Sequence, residues 1–190
     1  MAYNDYYKRA PIILERTVEL ESLEHTFIPK VFKERMWTKL LYLMGNVHAE
    51  LISEFFANAI VEGGCINCWL RRREFYVIRE FIQEILEIYP TTPHASLQYD
   101  ERREKLGPIM DILGGEICKK ALNTIPFTSE MRSLTYVMIF NLYPVKNLTT
   151  FSTPGAMFLL DHFTHKEIDI CSHIYCLFIK CITKRNSGLI

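Results

Sequence analysis

The sequence predicts a single, mostly α domain of about seven or eight helices with a few short extended segments. Its 190 residues suit one domain. Its composition, 49% hydrophobic and 13% aromatic, is typical of a chain that buries a core. Apolar residues recur every three or four positions along most of the chain, and Gly or Pro pairs separate these stretches.

The first 28 residues are rich in tyrosine and charge but weakly periodic, so we interpret residues 1–28 as an arm. The helical domain occupies residues 29–190. Pro29 suits the first position of a helix that carries Trp37 on its apolar stripe and ends at Gly45. The Leu14–Leu23 run adds one or two helical turns to the arm.

A second apolar stripe, which includes Phe55, predicts a helix over 47–60 that ends at Gly63 and Gly64. Cys65–Leu70 alternates loosely and permits a strand, which must pair or dock because a lone strand is unstable. A third stripe, from Phe75 to Leu86, predicts the next helix. It places Ile78 and Ile82 in the core.

The second half of the chain continues the helical pattern after a proline-broken loop over 87–100. Thr128 is a suitable N-cap, and Thr153 followed by Pro154 predicts another helix start. The predicted helices are 101–114 with an interruption at Gly107-Pro108, Ile117–Ile125, the segment after Thr128, the segment after Thr153, and Cys171–Lys184. We expect Leu134 and Phe178 to be buried with the residues named above.

Charge and hydropathy restrict the function classes. Lys and Arg number 22 and so do Asp and Glu, so any nucleic-acid contact requires a local patch, and self-association is favoured. No stretch reaches the length of a membrane span, and the N-terminus lacks a signal-peptide core. We therefore expect an intracellular protein that is not secreted and does not bind a membrane. We expect its six cysteines to be reduced and mostly buried.

The strongest basic feature is Arg71, Arg72 and Arg73, flanked by Trp69 and Tyr76. Positive charge beside stacking rings suits single-stranded nucleic acid, and these five residues are the candidate binding site. In the competing interpretation the arginines form a solvated corner that pairs with acidic neighbours, Glu74, Glu80 and Glu84. The neutral overall charge favours this second interpretation.

Two other patterns resemble functional sites. Cys65-x-x-Cys68 and His162-x-x-His165 contain zinc-ligand residues, but the pairs are too far apart in sequence for a zinc finger. We interpret them as buried thiols and as surface imidazoles at a helix end. Asp111 and Asp161 both lie in helical segments, whereas two-metal nucleases carry their acids on strands. The sequence therefore predicts no catalytic residue, metal or cofactor.

Several short motifs follow one another in a recognisable order: Arg35-x-Trp37, EFFANA at Glu54–Ala59, WLRRREF at Trp69–Phe75, NLYPVKN at Asn141–Asn147, and the tail from Gly155 through IDIC at Ile168–Cys171. In this order they resemble the plant transposon protein domain family, over roughly residues 34–190. The resemblance implies an origin in a plant mobile element and carries no activity. Family members have an Arg-Gly turn where this chain has Arg72, so we expect a remodelled corner there.

We interpret the chain as a non-catalytic domain of a transposable-element protein that acts in assembly or in nucleic-acid binding. The alternative is a decayed or domesticated copy, truncated near Ile190, with a structural or protein-interaction role. An element-encoded nuclease or transposase ranks third.

Overall fold

Helices dominate the chain, as predicted, and two small sheets accompany them. The computed structural model describes residues 17–42, 48–89, 106–118, 121–143 and 149–186. The eight α-helices of this part are α1 Ile28–Glu34, α2 Thr38–Leu41, α3 Ala49–Asn58, α4 Arg79–Leu86, α5 Leu106–Leu113, α6 Ser129–Asn141, α7 Thr153–Phe163 and α8 Ile170–Asn186. The strands are β1 Ile60–Glu62, β2 Cys65–Leu70, β3 Arg73–Val77, β4 Glu116–Cys118, β5 Ala121–Asn123 and β6 Thr150–Ser152.

The chain divides into two compact units. Unit 1 comprises residues 1–14, 45–91 and 170–190, and unit 2 comprises 15–44 and 92–169. None of the helices in the described part is long and apolar enough to cross a membrane.

Unit 1 is built on sheet A, in which β1, β2 and β3 pair antiparallel in that order. Strand alternation gives this sheet an inner face, with Ile66 and Cys68 fully buried, and an outer face. The inner face packs against α3 and α8 through a cluster that includes Phe55, Phe178 and Ile182. The inner face of sheet A is therefore covered by one helix that precedes the sheet in the sequence and by the last helix of the chain.

Unit 2 joins a 3-10 turn at Leu20–Leu23, α1, α2, α5, α6 and α7 with sheet B, in which β5 lies between β4 and β6. Its core is apolar: Leu122, Leu134 and Phe151 are fully buried. One charged group fixes a helix start, because the Phe27 N–H donates to the Glu130 carboxylate at 2.7 Å. Since Phe27 precedes α1, Glu130 satisfies an amide that the helix itself leaves unpaired.

Several predictions about elements are confirmed. Thr128 caps α6, with its hydroxyl oxygen accepting from the Met131 N–H at 3.3 Å. Of the six predicted core residues, Trp37, Ile82 and Leu134 are buried, Phe55 and Phe178 are half-buried, and Ile78 is exposed. The predicted loop after Glu87 and the start of the 101–114 helix lie largely outside the described residues.

Other predictions are wrong. Where a helix was predicted over Ile117–Ile125, the described residues form β4 (Glu116–Cys118) and β5 (Ala121–Asn123), which pair antiparallel. The helix predicted from Pro29 divides into α1 and α2, because Met36 adopts a left-handed φ of 55°. Phe75 lies on β3 and Ile78 is the extended N-cap of α4, which explains the exposure of Ile78. Cys181 is exposed, although the cysteines were expected to be mostly buried. The predicted few short extended segments are in fact two three-stranded sheets.

Candidate functional site

The predicted basic corner is the turn of the β2–β3 hairpin. Leu70 pairs with Arg73, so Arg71 and Arg72 form a two-residue loop. Both have left-handed backbones, with φ of 50° and 64°. Such turns match the twist of a hairpin but favour Asn and Gly, because a Cβ is strained at positive φ. Arg72 takes the left-handed conformation that glycine adopts without strain.

Arg71 is held by helix α3. Its backbone N–H donates to the Glu54 carboxylate at 2.9 Å, and its guanidinium lies 3.6 Å from carboxylate oxygens of both Glu50 and Glu54. These contacts attach the strained turn to the helix. Glu50 and Glu54 are not the acidic partners that the sequence predicted for this corner. Of those predicted, Glu80 pairs with Arg79 at 3.0 Å. Arg71 is thus a structural residue of the turn.

The structure separates the remaining candidates onto two faces. Arg72 and Arg73 are exposed, and neither forms an ion pair within the described part of the chain. Arg73 shares the alternation of Phe75 and Val77, and so belongs to the inner face. Trp69 and Tyr76 belong to the outer face. The predicted site is therefore not one surface, because Arg73 lies on the inner face of the sheet and the two aromatic rings lie on the outer face.

The outer face of sheet A carries an exposed apolar group. Its large side chains are Ile60, Trp69 and Tyr76, with 48%, 50% and 57% of their surface exposed. Asn67 lies between Ile60 and Tyr76 in the register, and its buried Oδ1 accepts no hydrogen bond from the described residues. We call the surface formed by Ile60, Asn67, Trp69, Glu74 and Tyr76 the outer patch.

The charge near the outer patch is negative. Glu74 pairs with Trp69 across β2 and β3, and Glu62 shares the same face on β1. A hydrogen bond to Glu74 is the main cause that raises the pKa of the Tyr76 hydroxyl above its usual value, with partial burial and the Glu74 charge adding to it. The patch thus combines aromatic rings with carboxylates and not with arginines.

Unit 2 contains a second unusual group, the imidazole of His162 at the end of α7. The ring is fully buried, with its centroid 5.2 Å from that of Phe32 and 5.5 Å from that of Trp37, on which it stacks. Neither ring nitrogen has a hydrogen-bond partner among the residues that the structure describes. Burial lowers the pKa of His162 to about 3, with smaller contributions from the charges of Arg35 and His165.

The prediction of two surface imidazoles is therefore half wrong: His162 is buried, whereas His165 is exposed and lies 3.9 Å from the Glu34 carboxylate. The i, i+3 spacing places both rings near the helix end but does not show which faces the core. Arg35 occupies that end and donates to the carbonyls of Asp161 at 3.2 Å and Lys166 at 2.7 Å. It closes α7 as a C-terminal cation would.

The metal-like patterns belong to different units. Cys65 and Cys68 are on β2 of unit 1, whereas the two histidines belong to unit 2. Asp111 is exposed on α5, and Asp161 is buried at the end of α7. Over residues 17–42, 48–89, 106–118, 121–143 and 149–186, no three His, Cys, Asp or Glu side chains group closely enough to hold a metal ion.

Sequence reasoning missed a second exposed apolar surface on α4. Ile82 and Leu86 are buried, but Phe81 and Ile85 on the other side are 41% and 52% exposed. Apolar residues on both sides of this helix were the available signal. A stripe widened beyond one face indicates more apolar surface than one packing contact covers.

Comparisons of the chain with protein-family models, with curated proteins and with solved structures found no match. The resemblance to the plant transposon protein domain family therefore stays a prediction, and the function has to be argued from the surface itself.

Proposed function

We propose that the chain is a non-catalytic protein-interaction domain and that the outer patch binds another polypeptide. The observation that carries this is the exposure of Ile60, Trp69 and Tyr76 on one sheet face. Large contiguous apolar surfaces are uncommon on proteins that act alone. Trp and Tyr are also the residues that contribute most binding energy where proteins meet.

The charges beside these rings favour a polypeptide over a nucleic acid. Glu62 and Glu74 lie on the same face and repel phosphate. Arg73 belongs to the opposite face, and Arg71 is occupied by Glu50 and Glu54. A polypeptide needs no positive surface, and its N–H groups or basic side chains can pair with the carboxylates.

An assembly role fits the family resemblance, since proteins of mobile elements act in multi-subunit particles and complexes. The alternative, a decayed copy without a binding role, predicts that nothing in the cell occupies the outer patch. These two readings differ in whether the patch is covered in the cell, which photo-crosslinking measures directly.

The test places benzoylphenylalanine at Trp69 in the full chain, expressed in plant cells, and identifies adducts by mass spectrometry. Tyr136, an aromatic residue of α6 that is 46% exposed, is the matched control position. We expect a discrete protein adduct from position 69 that position 136 does not give. Equal labelling from the two positions, or adducts to nucleic acid alone, would overturn the proposal.

A second candidate is binding of single-stranded nucleic acid at the tip of the hairpin. Arg72 and Arg73 are exposed without ion pairs in the described residues, and Trp69 lies nearby on β2. Since Arg71 is held by α3, at most two phosphate contacts follow. The binding constant should then fall with salt at a log–log slope of about −1.4.

Filter binding of a single-stranded oligonucleotide tests this candidate. We expect a double Arg72→Gln/Arg73→Gln variant to lose the salt-dependent binding. A double Lys33→Gln/Arg132→Gln variant, which removes two exposed charges of unit 2, should keep it. Binding that is absent at low salt, or the same in both variants, excludes the hairpin tip as a nucleic-acid site.

A further inference from the structure

We propose that two copies of this chain pair through strand β3, antiparallel, about a two-fold axis at Phe75. This inference goes beyond the proposed function, because it concerns the edge of sheet A and leaves the outer patch uncovered. Strand β3 is the edge of sheet A, since β2 pairs with it on one side only within the described residues. Its first four residues, Arg73 to Tyr76, are all exposed, so no helix or loop of the described ranges covers this edge.

The hairpin register shows which backbone groups are free. Leu70 pairs with Arg73 around the two-residue loop, and Cys68 pairs with Phe75. Those pairs exchange hydrogen bonds, and the groups of intervening residues point the other way. The N–H and C=O of Glu74 and Tyr76 therefore face away from β2. They have no hydrogen-bond partner in the part of the chain that the structure describes.

An axis at Phe75 uses all of these groups at once. Glu74 of each copy then lies opposite Tyr76 of the other, and the two pairs form four backbone hydrogen bonds. Phe75 lies opposite Phe75 of the second copy in the closer, non-hydrogen-bonded position, where aromatic pairs contribute most. Arg73 lies opposite Val77, so no like charges face each other.

Other symmetric registers are worse. An axis at Glu74 places two carboxylates directly opposite each other, which destabilises a strand pair. An axis at Tyr76 places Glu74 opposite Ile78, where β3 has ended and α4 begins. The edge is thus complementary to itself in the one register that is centred on Phe75.

Little in the described residues opposes this pairing. The net charge is zero, so two copies do not repel at long range. Strand β3 contains no proline or lysine. Its two charges, Arg73 and Glu74, are of the kind that protects edge strands, but in this register each faces an uncharged residue. Pairing would join two copies of sheet A into six strands and bring two outer patches onto one continuous face. One short edge buries little area, so a dissociation constant in the micromolar range or weaker follows.

The first experiment is sedimentation equilibrium of the full chain over a range of concentrations. We expect a monomer–dimer equilibrium that Tyr76→Pro weakens at least about tenfold, because proline removes the outward N–H from both copies. Proline is tolerated there since the ladder to β2 does not use that N–H. The matched control, Tyr76→Phe, keeps the N–H and should dimerise like the natural chain.

The second experiment tests the register in a Cys181→Ser background, which removes the exposed native thiol. Under a glutathione buffer, Phe75→Cys should form a disulfide between copies, whereas Glu74→Cys and Tyr76→Cys should not. Only position 75 lies opposite itself at a distance that a disulfide spans. Peptide mass spectrometry assigns the bond.

A chain that remains monomeric at every concentration overturns the inference, and so does crosslinking that is equal at positions 74, 75 and 76. A monomer whose Trp69 photo-adduct is a different protein refutes the pairing but leaves the proposed function standing. A monomer without any adduct at position 69 refutes both.

Discussion

The stability of unit 2 should fall with acid because His162 is buried as a neutral ring. In the unfolded chain the imidazole takes up a proton as the pH falls below 6.5, but in the folded chain its pKa is lowered to about 3. Between these values the unfolded state binds more protons, so unfolding becomes easier as the pH falls. From pH 7.5 to pH 5 the expected loss from this one group is about 2 kcal/mol.

Urea unfolding at the two pH values measures this loss. Trp37 stacks on His162, so its fluorescence reports the surroundings of the ring, and a Trp69→Phe background removes the only other tryptophan. Other groups also titrate between the two pH values. The quantity to compare is therefore the difference between the natural chain and His162→Phe, which keeps a ring of similar size but cannot be protonated.

We expect His162→Phe to lose about 2 kcal/mol less than the natural chain on going from pH 7.5 to pH 5. The matched control is His25→Phe, an exposed histidine of the same unit that is not among the causes of the His162 shift, and it should lose as much as the natural chain. If His162→Phe and the natural chain lost equal stability, the His162 ring would not be held neutral by burial, and the reasoning would be refuted.

Two further predictions concern backbone conformation and are read from urea midpoints. Gly114→Ala and Gly115→Ala both place a Cβ at positive φ, but only at Gly115 would the Cβ meet a backbone atom, the Asn123 carbonyl oxygen at 2.7 Å. We expect a cost of about 1 kcal/mol at Gly114 and at least about 3 kcal/mol at Gly115; equal costs would contradict the close approach. Arg72→Gly should stabilise the hairpin by about 1 kcal/mol because it relieves the left-handed strain, whereas Arg73→Gly, in the strand, should destabilise it by a similar amount. Destabilisation by Arg72→Gly would refute the strain argument.

Much of the fold follows from local chemistry. The Thr128 cap was predictable because a side-chain oxygen satisfies a specific helix amide three residues on. The segment around Leu122 was not, because a short apolar run fits a helix or a buried strand equally well and only pairing with β4 and β6 decides between them. Met36 likewise interrupts a regular apolar stripe without any glycine or proline to mark it.

The candidate site was predicted residue by residue but not as a surface. The composition of the Trp69–Tyr76 segment indicated an exposed corner, and its side chains are indeed exposed. Which of them share a face depends on the hairpin register, and a two-residue turn places Arg73 and Tyr76 on opposite sides. The burial of His162 could not be predicted either, because the rings that cover it are distant in sequence. Phe32 belongs to α1, and Trp37 is the residue just before α2.

The discontinuity of unit 1 has a consequence for how the protein is made. Its sheet is synthesised early, but the core that covers the inner face needs Ile182 from the last helix. The Tyr175 hydroxyl also donates a hydrogen bond to the carbonyl of Gly64, which lies 111 positions earlier in the chain. While the intervening chain is being translated, Ile66 and Cys68 have only α3 as cover, and the closing contacts must wait for a long loop to form. The sheet of a nascent chain is therefore only partly covered when it leaves the ribosome. A stop codon before α8 would leave the sheet permanently in this state, which is prone to aggregation.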